Sequence, residues 1–304
     1  MVELLVVLVI LSLVMMAIYS IYFTHERTAL TQDELVDVQQ NIRIGMDSIT
    51  RDIRMAGFLV PSSSINPVNT AYSGNGILQP LPAPDNINSD AITISTASAS
   101  ATVAEIKTPA GAKFFVYDAL SVATFTVGDV VTIIRPSNKT QPAGVGNFTI
   151  NSKNSADPSL TLSATPGGVL IEGDLIVKIG SAGAGVYPNT ITYCLGPSVS
   201  PITLPSGNRC GNNVTTCPAG ELCLMRIVNI GQPGEDDEAI AQNIAGLQIS
   251  YLMDDGTETD SPTSLNTIRS VRVTLIGQTA TTVKLSNNVP RQRRLESVIM
   301  MRNR

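Results

Sequence analysis

The residues best equipped for chemistry are few, and they sit apart from one another. Cys194, Cys210, Cys217 and Cys223 fall within thirty residues, with gaps of 15, 6 and 5 intervening positions. Structural zinc favours a Cys-x-x-Cys knuckle, which this spacing lacks, so disulfides are the better reading. Asp254-Asp255-Gly256-Thr257-Glu258-Thr259-Asp260 is acidic enough to raise calcium, with Asp254, Asp255 and Asp260 as candidate ligands. It departs from the regular Asp-x-Asp-x-Asp-Gly loop, so a solvated hairpin turn is expected there and no metal. Glu235 to Glu238 is read in the same way, as a solvated loop. His25 is the single histidine. No phosphate-cradling Gly-x-x-x-x-Gly-Lys loop, His-Glu-x-x-His pair or haem-attachment motif occurs in the chain. We therefore expect no enzyme and no cofactor. Arg291, Arg293, Arg294, Arg302 and Arg304 form a local basic cluster, but a net charge of −5 argues against a nucleic-acid partner. That leaves Glu3, a carboxylate at the lip of a long apolar run.

The elements around these residues are easier to read. From Leu4 to Phe23 the chain is apolar apart from Ser12 and Ser20, and about 20 such residues span a bilayer. Tyr19, Tyr22 and Phe23 lie where aromatic side chains favour the interface. Beyond them Leu35, Val38, Ile42, Met46, Ile49, Ile53 and Ala56 recur at intervals of three and four, an apolar stripe at helical period. Asp33, Glu34, Asp37, Gln39, Gln40, Arg43, Asp47, Arg51, Asp52 and Arg54 take the other faces. No proline intervenes before Pro61, and Gly57 is a plausible stop. One helix over 1–57 is expected, with 1–23 as its membrane segment. The prolines between 58 and 90 read as an irregular wrap, and 91–304 as a β-rich globular domain of antiparallel sheets. The fold class is α+β.

Met1-Val2-Glu3-Leu4-Leu5-Val6-Val7 resembles the mature start of type IV pilins and of the pseudopilins of type II secretion. In that family a glutamate follows two apolar residues and precedes a long apolar run. Gln39 to Arg43 and Ile49 to Phe58 look like the helix end of minor pilins of the PilW type. Ile268 to Leu275, and Leu295 to Val298 with Arg302 and Asn303, are also similar to that group. The resemblance implies a precursor cut by prepilin peptidase, with a basic leader ending in Gly-Phe ahead of this motif. It implies residence in the bacterial inner membrane, then in an extracellular pilus or pseudopilus. Glu3 would be the subunit-docking residue. Leu4, Leu5, Val6, Val7 and Leu8 would enter the membrane and then the filament core, packed on other minor and major pilins. The basic cluster would then be counter-charge for a neighbouring subunit. A J-type pseudopilin and a monomeric membrane-anchored adhesin are the alternatives.

An exported domain sits in an oxidising compartment, where cysteines pair. Residues 191–195 and 222–226 look like paired strands flanking a Pro/Gly/Asn-rich excursion. That places Cys194 opposite Cys223 and leaves Cys210 to Cys217, a nested pattern. Phe125-Thr126-Val127-Gly128-Asp129-Val130-Val131 is echoed 45 residues later by Leu170-Ile171-Glu172-Gly173-Asp174-Leu175-Ile176. We read the echo as ordinary turn chemistry rather than a repeat.

Overall fold

The computed structural model describes residues 2–57, 68–72, 90–96, 103–137, 141–142, 146–180, 189–196, 210, 217, 222–230, 235–260, 262, 267–279 and 291–301. Helix α1 runs unbroken over Val2–Arg54, about 80 Å at 1.5 Å per residue. Gly57 follows it with a φ of 73°, the left-handed stop that a glycine takes without strain. Most of the wrap expected over 58–90 lies outside the described residues. Strand β1 (Val68–Tyr72) falls within that span.

Two antiparallel sheets pack with α1 to make the main core. One contains β1, β2 (Ala91–Thr96), β9 (Asn189–Gly196), β10 (Cys223–Val228) and β11 (Asp236–Gln242), in that order. The other has the order β13 (Glu258–Thr259), β12 (Ile244–Met253), β14 (Ile268–Gln278), β15 (Gln292–Met300). Both sheets place alternate apolar residues inward, as period-2 strands must. Ile92, Ile94, Ile191 and Leu195 thus meet Leu247, Ile249, Val271, Val273 and Leu275. Val38, Ile42, Met46, Ile49, Ile53 and Ala56 of α1 are buried in the same cluster, so the predicted stripe is the packing face. Leu35 is only half buried. The helix comes close to the sheets because glycine lines the contact. A Cβ on Gly277 would lie 2.7 Å from Val38 and Ile42, and one on Gly45 would lie 2.8 Å from Leu224.

Glu235 to Glu238 is not the solvated loop expected from its charge. Asp236 opens β11, and Asp236 to Glu238 pair with Val228 to Arg226 of β10. Ladder hydrogen bonds and the apolar residues that follow, Ala239 to Ala241, outweigh the weak strand preference of acids.

Between β2 and β9 the chain builds a second body with its own core. It comprises β3 (Val103–Ala110), β4 (Lys113–Val116), α2 (Ala119–Thr124), β5 (Val130–Ile134), β6 (Asn147–Asn154), β7 (Ser159–Leu162) and β8 (Leu175–Gly180). The strands close into a barrel in the order β3-β4-β7-β6-β5-β8. Ile106, Phe114, Phe125, Ile133, Ile150, Leu160 and Ile176 fill it, apart from the helix–sheet cluster.

The echo is a repeat, and the expectation of ordinary turn chemistry is corrected. Exchanging β3 with β6, β4 with β7 and β5 with β8 leaves the barrel order unchanged. The hydrogen bonds obey the same exchange. Gly128 N–H donates to Ile150 O as Gly173 N–H donates to Ile106 O, and Ile150 N–H donates to Asp129 O as Ile106 N–H donates to Asp174 O. Thr126 N–H donates to Asp129 Oδ2 at 2.7 Å, and Ile171 N–H to Asp174 Oδ2 at 3.0 Å. Both glycines take the left-handed conformation, with φ of 93° and 90°. Each unit also skips one residue at the same place, in β3 between Ile106 and Thr108 and in β6 between Ile150 and Ser152. Sequence alone disguised the repeat because Gly and Asp are the residues it shares most visibly.

Candidate functional site

Helix α1 is the element on which the sequence places a docking function. Its described side chains from Val6 to Phe23 are exposed and apolar apart from Ser12 and Ser20, and none of that stretch is buried against the protein. By length and composition the helix is sufficient to cross a membrane. Glu3 lies in its first turn and is exposed. A carboxylate there interacts favourably with the positive end of the helix dipole. Val6, Val7 and Leu8 are exposed along the same run, whereas the side chains of Leu4 and Leu5 lie outside the described residues. Among the described residues, the candidates that share Glu3's end of the helix are Val6, Val7 and Leu8.

Fifty residues further on, a polar lock fixes the helix to the first sheet. Asp52 is buried between the apolar stripe and the β9–β10 pair. Its Oδ2 accepts from the Tyr193 hydroxyl at 2.7 Å and from Arg226 Nε at 2.8 Å. Ser48 Oγ lies 3.1 Å from the same Tyr193 hydroxyl, which completes the set. Burial, and next the Asp52 charge, push the Tyr193 phenol far above its ordinary pKa, so it stays a donor. Burial lowers the Arg226 pKa, yet the hydrogen bond and charge of Asp52 outweigh this and raise it overall. The sequence reading set Asp52 on a polar face of the helix and passed over Tyr193 and Arg226, whereas the structure buries Asp52 against both. The available signal was an aspartate at the margin of a buried stripe, next to Ile53, since a buried carboxylate needs partners.

The cysteines pair differently from the nested pattern. Cys194 bonds Cys210, and Cys217 bonds Cys223. Strands β9 and β10 do pair, but in a register that sets Cys194 against Met225 and Cys223 against Gly196. The two strand cysteines are therefore diagonal neighbours, about 7–8 Å apart at Cα, beyond normal disulfide reach. Each is met instead by a cysteine of the intervening segment. Cys210 folds over β9 so closely that a Cβ on Gly196 would lie 2.9 Å from its carbonyl oxygen.

The acidic run after β12 is a tight turn. Asp255 Oδ1 accepts from Thr257 N–H at 2.9 Å, and hydrogen bonds from the Thr257 side chain and backbone hold its carboxyl below the ordinary range. Asp254 and Asp255 are exposed, whereas Asp260 borders a separate concavity with Asp90, Glu258 and Arg272. Among the described residues no group of three or more potential ligands gathers as a metal site. The basic cluster is partly internal to the second sheet. Arg294 pairs with Glu296 at 2.9 Å, and Arg272 pairs with Glu258 at 2.8 Å and also bonds Glu296. Arg291 and Arg293 are exposed, whereas Arg302 and Arg304 lie outside the described residues.

Compared with protein-family models, with characterised proteins and with solved structures, the chain matches none. The molecule itself carries an apolar N-terminal helix of membrane-spanning length and two disulfides, which point to an oxidising, extracytoplasmic compartment.

Proposed function

We propose that this chain is a non-enzymatic filament subunit, a minor pilin of the PilW type. It waits in the bacterial inner membrane and enters a pilus through α1. The observation that carries the reading is the division of one continuous helix. Behind Glu3 its stretch from Val6 to Phe23 exposes apolar surface apart from Ser12 and Ser20, and its second half is locked into a disulfide-stapled β structure. A plain anchor explains the first half and leaves Glu3 no role beyond a favourable place at the positive end of the helix dipole. In a filament core Glu3 pairs with the N-terminal ammonium of an adjacent subunit, because an unpaired charge among apolar helices is costly. The partners are other minor and major pilins, and the barrel and sheets face outward.

The test is Glu3→Ala. The variant is expected in the membrane fraction at the normal level and absent from sheared filaments. Normal incorporation would overturn the reading. Co-purification of the intact chain with pilus subunits rather than secretion pseudopilins decides between the two kinds of filament. Recovery as a lone monomer, with neither, would favour an anchored adhesin.

A further inference from the structure

The face of the second sheet turned away from α1 carries polar side chains at alternate positions. Leu247, Ile249 and Tyr251 of β12 point into the core, so Gln248 and Ser250 point outward, as the period of a strand requires. Register sets Gln248 beside Thr274 and Ser250 beside Arg272, and Thr274 in turn beside Glu296. Asp90 closes the free edge of β12. Its N–H donates to Leu247 O at 2.8 Å, and its Oδ2 accepts from Ile249 N–H at 2.7 Å. A concavity of about 410 Å³ opens over these residues, with Glu258 and Asp260 on the β13 side and Arg294 on the β15 side. Asp90 and Thr274 are its most buried polar members, each 4% exposed. The rim is held in place by its own ion pairs. Arg272 is clamped between Glu258 and Glu296, Arg294 pairs with Glu296, and Ser250 Oγ donates to Glu258.

We propose that this concavity binds a neutral carbohydrate, a short stretch of a pyranose glycan. Its volume falls within the range of small-molecule sites, about 300–1,000 Å³, but such sites are ordinarily lined by apolar and aromatic side chains. Among the described lining residues only Ile249 is apolar, and its side chain belongs to the core on the other face. The ligand is therefore recognised by hydrogen bonds, and the lining offers both kinds of partner. The carboxylates of Asp90 and Asp260 accept, the Arg294 guanidinium donates, and Gln248 and Thr274 do both. A sugar hydroxyl is likewise donor and acceptor, and two neighbouring hydroxyls match the forked geometry of a carboxylate or a guanidinium. Charge argues in the same direction. An anion would meet Asp90, Glu258 and Asp260, and a cation would meet Arg272 and Arg294, whereas a neutral polyol opposes neither. Both arginines already have carboxylate partners, so no charged ligand is needed to neutralise them. An extended peptide would add to a free strand edge, but β12 is flanked by β14 on one side and by β13 and Asp90 on the other. Because the rim is already paired, binding costs little side-chain ordering. The site lies in the second sheet alone and goes beyond the filament reading without resting on it.

The experiment places the full chain, in detergent micelles, on an array of short pyranose oligosaccharides in neutral, acidic and amino-substituted sets. Titration calorimetry then follows the glycans that are retained. At least one neutral glycan should bind. Gln248→Ala and Arg294→Ala should each weaken it about tenfold, the size of one lost hydrogen bond to a polar or charged group. Asp90→Asn keeps an acceptor for the Ile249 amide and should weaken binding by at least as much while the melting temperature holds. Asn151→Ala, exposed on the barrel, should change nothing. Retention of no neutral glycan would overturn the proposal. Binding confined to the acidic or the amino-substituted set would do the same, since it marks a site for charge. Undiminished binding in all three sheet variants would put the glycan elsewhere and also refute it. Secreted matrix polysaccharide and cell-surface glycan share this chemistry, and retention on isolated matrix against matrix-stripped cells tells which of them supplies the ligand. Glu3→Ala should leave glycan binding unchanged, so loss of incorporation and loss of binding are scored separately.

Discussion

Asp52 shows how one carboxylate ties helix position to sheet position. Its oxygen Oδ2 holds both Tyr193 and Arg226, from adjacent strands, against a helix that would otherwise be placed by apolar packing alone. Apolar packing tolerates sliding, whereas hydrogen bonds at 2.7 and 2.8 Å do not. Asp52→Ala should cost about 2–4 kcal/mol, because it strands a largely buried guanidinium and a buried phenol together. Urea denaturation followed by circular dichroism would show this as a lower midpoint with an unchanged slope. Arg226→Met in the Asp52→Ala background should recover part of the loss, since the stranded cation is then gone. No recovery would mean that the trio acts through shape rather than charge. Little of this was legible beforehand. Periodicity located Ile49 and Ile53 to the residue, but it is blind to which strand residues will face Asp52. That depends on long-range register, and Tyr193 and Arg226 lie more than a hundred residues away in sequence.

At the scale of elements the two Gly-Asp turns are the sharpest case. Asp129 pairs with Lys178 of β8 at 2.9 Å, and Asp174 pairs with Arg135, just past β5, also at 2.9 Å. Each turn thus grips the strand that the other unit supplies. The units interleave because β5 pairs with β6 and β8, while β8 pairs with β3 and β5. Burial pushes the Asp129 carboxyl up, but the Thr126 hydrogen bonds and Lys178 more than offset this and leave it below the ordinary range. A depressed carboxylate adds stability above its unfolded value, about 3.9, and loses it as pH falls through the folded value. The barrel should therefore loosen below about pH 4, seen as faster amide exchange in β5 and β8. Asp129→Asn should weaken it by about 2 kcal/mol at neutral pH and flatten that acid response. An unchanged acid profile in the variant would refute the assignment. The disulfides belong to this scale too. Losing Cys194–Cys210, which closes 16 residues of sequence, should cost about 3 kcal/mol, against about 2 for the 6-residue Cys217–Cys223 bridge. Thermal melts of the two Cys→Ser pairs would rank them. Long patterned elements such as α1, β12 and β14 were plain in the sequence, because their period is their packing. Strands β3 and β11 were hidden, as Glu105 and Lys107, and Asp236 and Glu238, carry charges that one exposed face of each strand accommodates, while Asp237 is half buried on the other. The nested disulfide failed for a related reason: pairing of β9 with β10 was legible, but its register was not.

For the whole molecule, the placing of the barrel matters more than its contents. It enters between Thr96 and Asn189, and those two residues are paired partners at the ends of β2 and β9. The host sheet therefore already has the geometry of a hairpin, whose tip happens to carry a second body with a separate core. Among the described residues, no barrel side chain belongs to the α1–sheet cluster. Replacing residues 97–188 with Asn-Gly, a two-residue turn suited to antiparallel partners, should leave the host fold intact. The shortened chain should keep both disulfides, melt cooperatively and retain the Asp52–Tyr193–Arg226 lock, read by the same loss on Asp52→Ala. Under the filament reading it should still reach sheared filaments, because α1 and its packing face are untouched. Failure to fold would mean that the barrel nucleates the β2–β9 pair, since closing a loop of that length is otherwise an entropic cost the shorter turn removes. Folding without incorporation would instead give the barrel a direct part in assembly. Normal incorporation would confine assembly to the helix and its two sheets, and leave the duplicated barrel as the part displayed to the outside.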